Sequence, residues 1–194
     1  MSIGFEANEE KIGVLLAYIS SKISNLNLRK LIKIIFLIDE LYIKENGYPL
    51  TWLDYFAWKK GPVAPEIYDI KNGTFSKYVK AHKSIKDGKY YVYPVNEFNL
   101  DAGLDLFGEY HLEVIDSIIN EYGSFTADQL SEITHQSESL WSKTVSEKGL
   151  DFKDNGKSTV KLDLISLIKD DEEKYNSYIE ALDNIMFTAS LNQA

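Results

Sequence analysis

The side chains best suited to proton transfer or metal ligation at neutral pH are three histidines, His82, His111 and His135, which stand 29 and 24 residues apart. That spacing makes neither an HExxH nor an H-x3-H pattern, so a metal would need a site assembled from distant parts of the chain. Carboxylates are abundant, but Asp170 to Glu173 is a run of like charge, the pattern of a solvated helix face. Two acids divide acid and base roles only where their surroundings separate their pKa values, and no motif here specifies such a pair. The chain has no cysteine, which removes disulfides, thiolate zinc sites, iron–sulfur clusters and cysteine nucleophiles together. It also lacks GxxxxGK[ST], a GxGxxG turn after a strand and a GxSxG elbow. The expectation is a protein that is not an enzyme and that holds no metal and no cofactor.

The elements that must position these side chains are mostly helical. Ile12, Leu15, Leu16, Ile19 and Ile23 make the stripe of an amphipathic helix over Glu9 to Ser24. Asn25 or Asn27 caps a second helix whose run from Leu28 to Tyr42 is apolar around most of its circumference, so it belongs in the centre of the fold; Asn46-Gly47 and Pro49 stop it. Residues 50–64 read as an ordered loop with a short extended piece, broken at Gly61-Pro62. Pro65 opens a short helix through Ile67, Tyr68 and Ile70 that ends at Asn72-Gly73. Lys77–Ile85 and Lys89–Val95 flank Lys86-Asp87-Gly88 and predict a hairpin that must lie against the helices. A long helix is expected from Asp101 to Tyr122, a short one capped by Ser124 or Thr126, and another from Glu138 to Lys148. After a polar stretch from Asp151 to Ser158, the period of Leu164 to Met186 gives a C-terminal helix or helix pair. The fold class is mainly α with a small β part (α+β): six to seven helices and one small hairpin. Residues 1–148 are expected to form the main domain, with 149–194 a helical extension packed on it.

Charge narrows the function. With 194 residues, 21 of them basic and 30 acidic, the net charge is −9. Residues 1–90 carry 14 basic and 10 acidic side chains (+4), and 91–194 carry 7 and 20 (−13). Arg29 is the only arginine, so a sequence-reading nucleic-acid surface is disfavoured. No stretch approaches the ~18 consecutive apolar residues of a membrane span, and Met1 to Glu10 lacks the basic and apolar regions of an export signal. No membrane association is expected, and the localisation expected is cytoplasmic.

What stands out is the order of motifs in the middle of the chain. Lys30-Leu31-Ile32-Lys33 lies on the central helix, Gly47-Tyr48-Pro49-Leu50 follows it, and Ala57-Trp58-Lys59-Lys60-Gly61-Pro62-Val63 precedes Pro65-Glu66-Ile67-Tyr68. A helix then reaches Tyr122-Gly123, followed by Leu130-Ser131, Thr134-His135 and Trp141. From about residue 10 to about 147 this order (KLxK, GxPL, AWxxGPV, PExY, YG, LS, TH, W) resembles the Panacea domain family, which includes SocA-like and phage-associated GepA-like proteins. The helix after KLxK, IIFLIDELYIKENG, matches the family in character more than letter for letter, and the last 45 or so residues lie outside the resemblance.

The resemblance implies an antitoxin of a toxin–antitoxin system that neutralises a cognate toxin by direct protein contact. Its alternatives are a SocA-like adaptor delivering the toxin to a ClpXP-type protease, a DNA-binding autoregulator, and an enzyme that reverses a toxin's modification. Trp58, Lys60, Gly61, Pro62, Val63 and Tyr68 are the candidate partner-binding residues, against the reading that Trp58 is core and Gly61-Pro62 merely aims the next helix. Lys30, Leu31, Lys33, Trp58, Gly61, Pro62, His135 and Trp141 are the candidate structural motif. Lys30 and Lys33, three apart on one helix face, can snorkel toward an acid such as Glu132 or Glu138. His135 and Trp141 either line a groove or pack, the histidine bonded to a carbonyl. The acidic half either steers the chain to a basic toxin cleft or serves solubility.

Overall fold

The computed structural model describes residues 8–152 and 156–191. Its centre is helix α2 (Leu28–Asn46), capped by the Asn27 side chain, which accepts from the Lys30 amide at 3.0 Å, and closed by Gly47 at φ 88°. Leu31, Ile34, Ile35 and Ile38 are fully buried, and Lys33 and Asp39 are buried with them, so the helix is enclosed on nearly every side. Helix α1 (Glu9–Lys22) is capped by Asn8 and packs Leu15, Leu16 and Ile19 into the same core. Each end signal is the one that the asparagine and glycine chemistry predicts.

Between α2 and the next helix lies a feature shorter than the sequence pattern can announce. Residues 50–64, expected as a loop with one extended piece, form an antiparallel pair, β1 (Phe56–Trp58) with β2 (Gly61–Val63), joined at Lys59-Lys60. The outer edge of β1 is covered from the far end of the chain. Lys59 donates to the carbonyl of Gly156 at 2.7 Å and Ala57 to that of Val160 at 2.9 Å, while Leu162 donates back to Tyr55 at 2.8 Å. A three-residue strand is stable here because both of its edges are paired.

Helix α3 (Pro65–Tyr68) continues as a 3-10 turn to Asn72 and stops at Gly73, φ 104°. The hairpin expected around Asp87-Gly88 is present as β3 (Val79–Lys83) and β4 (Tyr90–Pro94). It docks on the α1–α2 connection, where Val92 donates to the Leu26 carbonyl at 2.8 Å.

The long helix expected over Asp101–Tyr122 is broken. Helix α4 (Leu100–Gly103) gives way to a 3-10 turn, Leu104–Leu106, and then to extended Phe107, and α5 (Glu109–Tyr122) starts afresh after Gly108. The break buries Phe107 edge-on to His111. The apolar positions already lose helical step there, because Phe107 to Leu112 is a stride of five. Helices α6 (Ala127–Thr134) and α7 (Leu140–Glu147) are capped by Thr126 and Ser139. A 3-10 turn, Leu164–Leu167, precedes α8 (Glu172–Leu191). Leu162, Leu164, Ile168 and Tyr178 bury into the common core, and Tyr178 packs 5.2 Å from Trp52. Part of the polar stretch 151–158, residues 153–155, lies outside the described residues, as do residues 1–7 and 192–194. Among the described residues no helix is long and apolar enough to cross a membrane.

Asp39 fixes α2 to the segment that leads into β1. Its buried carboxylate accepts from the Thr51 amide at 2.8 Å, the Thr51 hydroxyl, and the Tyr55 hydroxyl at 2.6 Å. Burial raises its pKa, and the three donors oppose that rise. Asp39→Ala strands a buried amide and two buried hydroxyls, so urea denaturation is expected to show a loss of about 2–4 kcal/mol, with Asp39→Asn losing less than half as much. Equal losses for the two variants, or a loss under about 1 kcal/mol for alanine, contradict this account.

Candidate functional site

The AWxxGPV segment is held by a buried amine. Lys33 is fully buried and donates from Nζ to the Pro62 carbonyl at 2.7 Å. Proline suits this strand position because the pair Ala57–Pro62 spends no hydrogen bond between the strands: Ala57 donates outward to Val160, and the Pro62 carbonyl is left for Lys33. Gly61 sits at φ 105°, and a Cβ there would stand 2.6 Å from Lys33 Nζ and 2.8 Å from Thr134 Oγ1. Glycine is required both for the backbone and for the space. Burial holds the Lys33 pKa well below its ordinary value, and Arg29 lowers it further.

Lys30, three residues earlier, donates to the carbonyl of Gly123, just past the end of α5, at 2.5 Å. A cation at a helix C-terminus meets the negative end of the helix dipole. Neither lysine therefore reaches Glu132 or Glu138. Both side chains are buried too deep to extend to those exposed acids and are spent on backbone carbonyls instead. Leu31 between them is wholly in the core.

The late motifs close the same cluster. The Trp141 indole donates to the Trp58 carbonyl at 2.9 Å, and His135 stacks on Trp141 with ring centroids 3.8 Å apart and planes 9° from parallel. The histidine Nε2 is buried without a hydrogen-bond partner among the described residues, so stacking, not a carbonyl, holds the ring. Burial, then Lys33 and Lys60, lowers its pKa and favours the neutral imidazole. Ser131 Oγ lies 3.2 Å from the Lys60 carbonyl. His82 and His111 are elsewhere: His82 on β3 beside Tyr93, His111 donating nothing to this cluster and accepting from the Gly108 amide at 2.9 Å. Among the described residues no three His, Asp or Glu side chains lie close enough to hold a metal ion.

A family model described as antitoxin SocA-like, Panacea domain, matches residues 31–142, which is 112 of the 194 residues. The chain belongs to this family. No curated protein and no solved structure matches it. Lys33, the Gly61-Pro62 turn, His135 and Trp141 all fall within the matched span, while Lys30 and α8 lie outside it.

The six residues expected to meet a partner divide between two environments. Gly61, Pro62 and Val63 are buried, whereas Trp58 and Tyr68 are half-buried and Lys60 is exposed. Trp58, Lys60, Val63 and Tyr68 together line a cavity of about 520 Å³ against the N-terminal end of α2. Trp58 meets Tyr68 edge-on at 5.0 Å, the Lys157 ammonium lies 4.6 Å from the Trp58 ring, and that of Lys71 lies 3.6 Å from Tyr68. The motif residues supply one side of this cavity, but its walls come from five separated stretches of chain, so no motif shows the enclosure itself.

Because the Lys33 pKa is lower folded than unfolded, the unfolded chain binds more protons through the alkaline range. The contribution of Lys33 to stability is therefore largest at high pH and declines as pH falls below the unfolded value of about 10.4. Lys33→Met is expected to destabilise by about 1–3 kcal/mol at pH 9, through the stranded Pro62 carbonyl, and by less at pH 7. Paired urea titrations check this, and a difference that grows toward pH 7 contradicts it. Gly61→Ala is expected to lower the melting temperature, and Lys33→Met in the same chain to recover part of the loss by removing the amine that the new methyl meets.

Proposed function

We propose that this Panacea-domain protein is an antitoxin that neutralises its cognate toxin by direct protein contact, with α8 as the principal contact element. The observation that carries the reading is the outer face of α8. Tyr175, Ile179 and Met186 fall on one side of the helix at i, i+4 and i+11, and they are 44%, 39% and 50% exposed. Phe187, at 65%, adjoins them. Exposed Glu172, Glu180 and Asp183 flank this stripe. An apolar stripe with an acidic border fits a groove that is apolar at its floor and basic at its rim. The −13 charge of residues 91–194 supports fast, salt-sensitive encounter with such a partner. That α8 lies beyond the matched span is consistent with a common scaffold carrying a toxin-specific element.

Co-expression with the neighbouring open reading frame tests the reading. The neighbour is expected to be toxic alone, harmless with this protein, and retained with it one-to-one on a column. Ile179→Glu with Met186→Glu is expected to weaken retention about 30-fold or more while leaving the melting temperature within a few degrees. Lys60→Glu, on the cavity rim, is expected to leave retention intact. The reverse pattern returns the contact to the Trp58 side. Growth rescue with a falling toxin level and no recoverable complex supports the proteolytic adaptor instead. Association is expected to slow steeply with ionic strength, and a flat rate removes the steering argument.

A further inference from the structure

The cavity bounded by Trp58, Val63 and Tyr68 has a charge unlike the rest of the molecule. In a chain with 30 acidic and 21 basic side chains, no described residue that lines it is acidic, and seven are basic. Arg29 is neutralised by Asp128 at 2.6 Å, and Lys89 by Asp87 at 3.4 Å. Lys59, Lys60 and Lys71 make no salt bridge among the described residues, and Lys33 stands behind them at the cavity wall with only a backbone carbonyl for a partner. The N-terminal end of α2 also faces this space, adding the positive end of a 19-residue helix, with no acidic residue in its first turn. Lys33 adds a donor more than a charge, because burial holds its pKa well below the ordinary value, and the solvent-reaching ammonium groups of Lys59, Lys60 and Lys71 give the recess a positive field that favours an anion.

The walls say more than the charge does. Trp58, Tyr68 and Tyr90 supply aromatic surface, with Val63, Leu28 and Ile32 apolar beside them. Lys71 and Lys157 are held against the Tyr68 and Trp58 rings, so their ammonium groups are already placed at the aromatic wall before any ligand arrives. A volume of about 520 Å³ is that of a small-molecule site. We infer that this recess is a binding site for a nucleoside polyphosphate, its phosphates taken by Lys59, Lys60 and Lys71 and its base by the Trp58–Tyr68–Tyr90 wall. A nucleic-acid strand fits less well, because a long polyanion must also cross the surface of a chain whose second half carries −13. An acidic peptide satisfies the lysines but has no planar group to match the three rings. The site is independent of the α8 contact and of the antitoxin reading.

Isothermal titration of the full-length protein with ATP and with GTP tests the inference, with inorganic tripolyphosphate, adenosine and a Glu-rich peptide as controls. One nucleotide is expected to bind per chain, more tightly than tripolyphosphate or adenosine and more weakly as salt is raised. Lys60→Gln with Lys71→Gln, both at solvent-reaching positions, is expected to weaken ATP about tenfold or more without changing the melting temperature. Tyr90→Ala is expected to weaken ATP but not tripolyphosphate. Four results overturn the inference: no saturable binding of either nucleotide at millimolar concentration; binding unaffected by the double lysine variant; tripolyphosphate as tight as ATP, which leaves a simple anion site; or tighter binding of the peptide, which assigns the recess to a protein partner.

Discussion

A single buried hydrogen bond, from Lys33 on α2 to the carbonyl of Pro62 on β2, organises the part of the molecule that the family shares. An amine with no exposure must be given a partner, and a backbone carbonyl gives one without a second charge. Once that bond is required, its neighbours are constrained in turn. Residue 61 must lack a Cβ, residue 62 must leave its carbonyl outside the strand ladder, and Thr134 must end its helix against the same spot. The Trp58 carbonyl, at the end of the same small strand, then anchors Trp141, on which His135 stacks. Motifs more than a hundred residues apart are thus the inventory of one packed cluster.

Asp39 completes the arrangement from the other side. Lys33 holds the strand by which the chain leaves the β1–β2 turn, while Asp39 holds Thr51 and Tyr55 on the way in. Apolar contacts alone tolerate a sliding pair of three-residue strands, since one greasy surface is much like another. Two buried polar anchors six residues apart on one rigid helix leave a single register. The stability they contribute is modest against the cost of burying them, and their larger effect is to specify this geometry among near alternatives.

The helices were readable because their signals are local. Asn27, Gly47, Thr126 and Gly73 cap or stop helices by the chemistry of their own side chains or backbones, and the long apolar periods survive any tertiary setting. The break at Phe107 was missed although Gly108 and a stride of five marked it, because periodicity counted over a whole segment averages across one lost step. The β1–β2 pair was not readable, since three residues are too few to show alternation and its second edge is supplied by Val160 and Leu162. Within the candidate site, sequence order identified Lys33, Gly61, Pro62 and Trp141 as belonging together, but not what joins them. It sent Lys30 and Lys33 toward acids because snorkelling is the common fate of a helical lysine. Here α5 and β2 lie in the way, and the side chains stop at carbonyls. Of the cationic recess only the side formed by Trp58, Lys60, Val63 and Tyr68 left a trace in the sequence, because its lysines come from α2, the β1–β2 turn, the 3-10 turn after α3, the β3–β4 turn and the approach to the C-terminal helix.

Helix α2 also sets the distance between the two surfaces that distinguish this molecule. Its N-terminal end borders the recess, while its last residue hands over to Gly47, whose missing side chain lets the Lys174 backbone of α8 approach. At 1.5 Å per residue, the stretch of α2 from Lys33 at the recess to Gly47 at the α8 contact spans about 21 Å. That is more than two Debye lengths at physiological salt, so the two fields overlap only weakly. The uneven charge along the sequence is therefore preserved in space: a positive recess at one end of the central helix and a negative, partly apolar helix at the other. Any influence of one end on the other must then pass through the packing of α2, whose residues are enclosed on nearly every side.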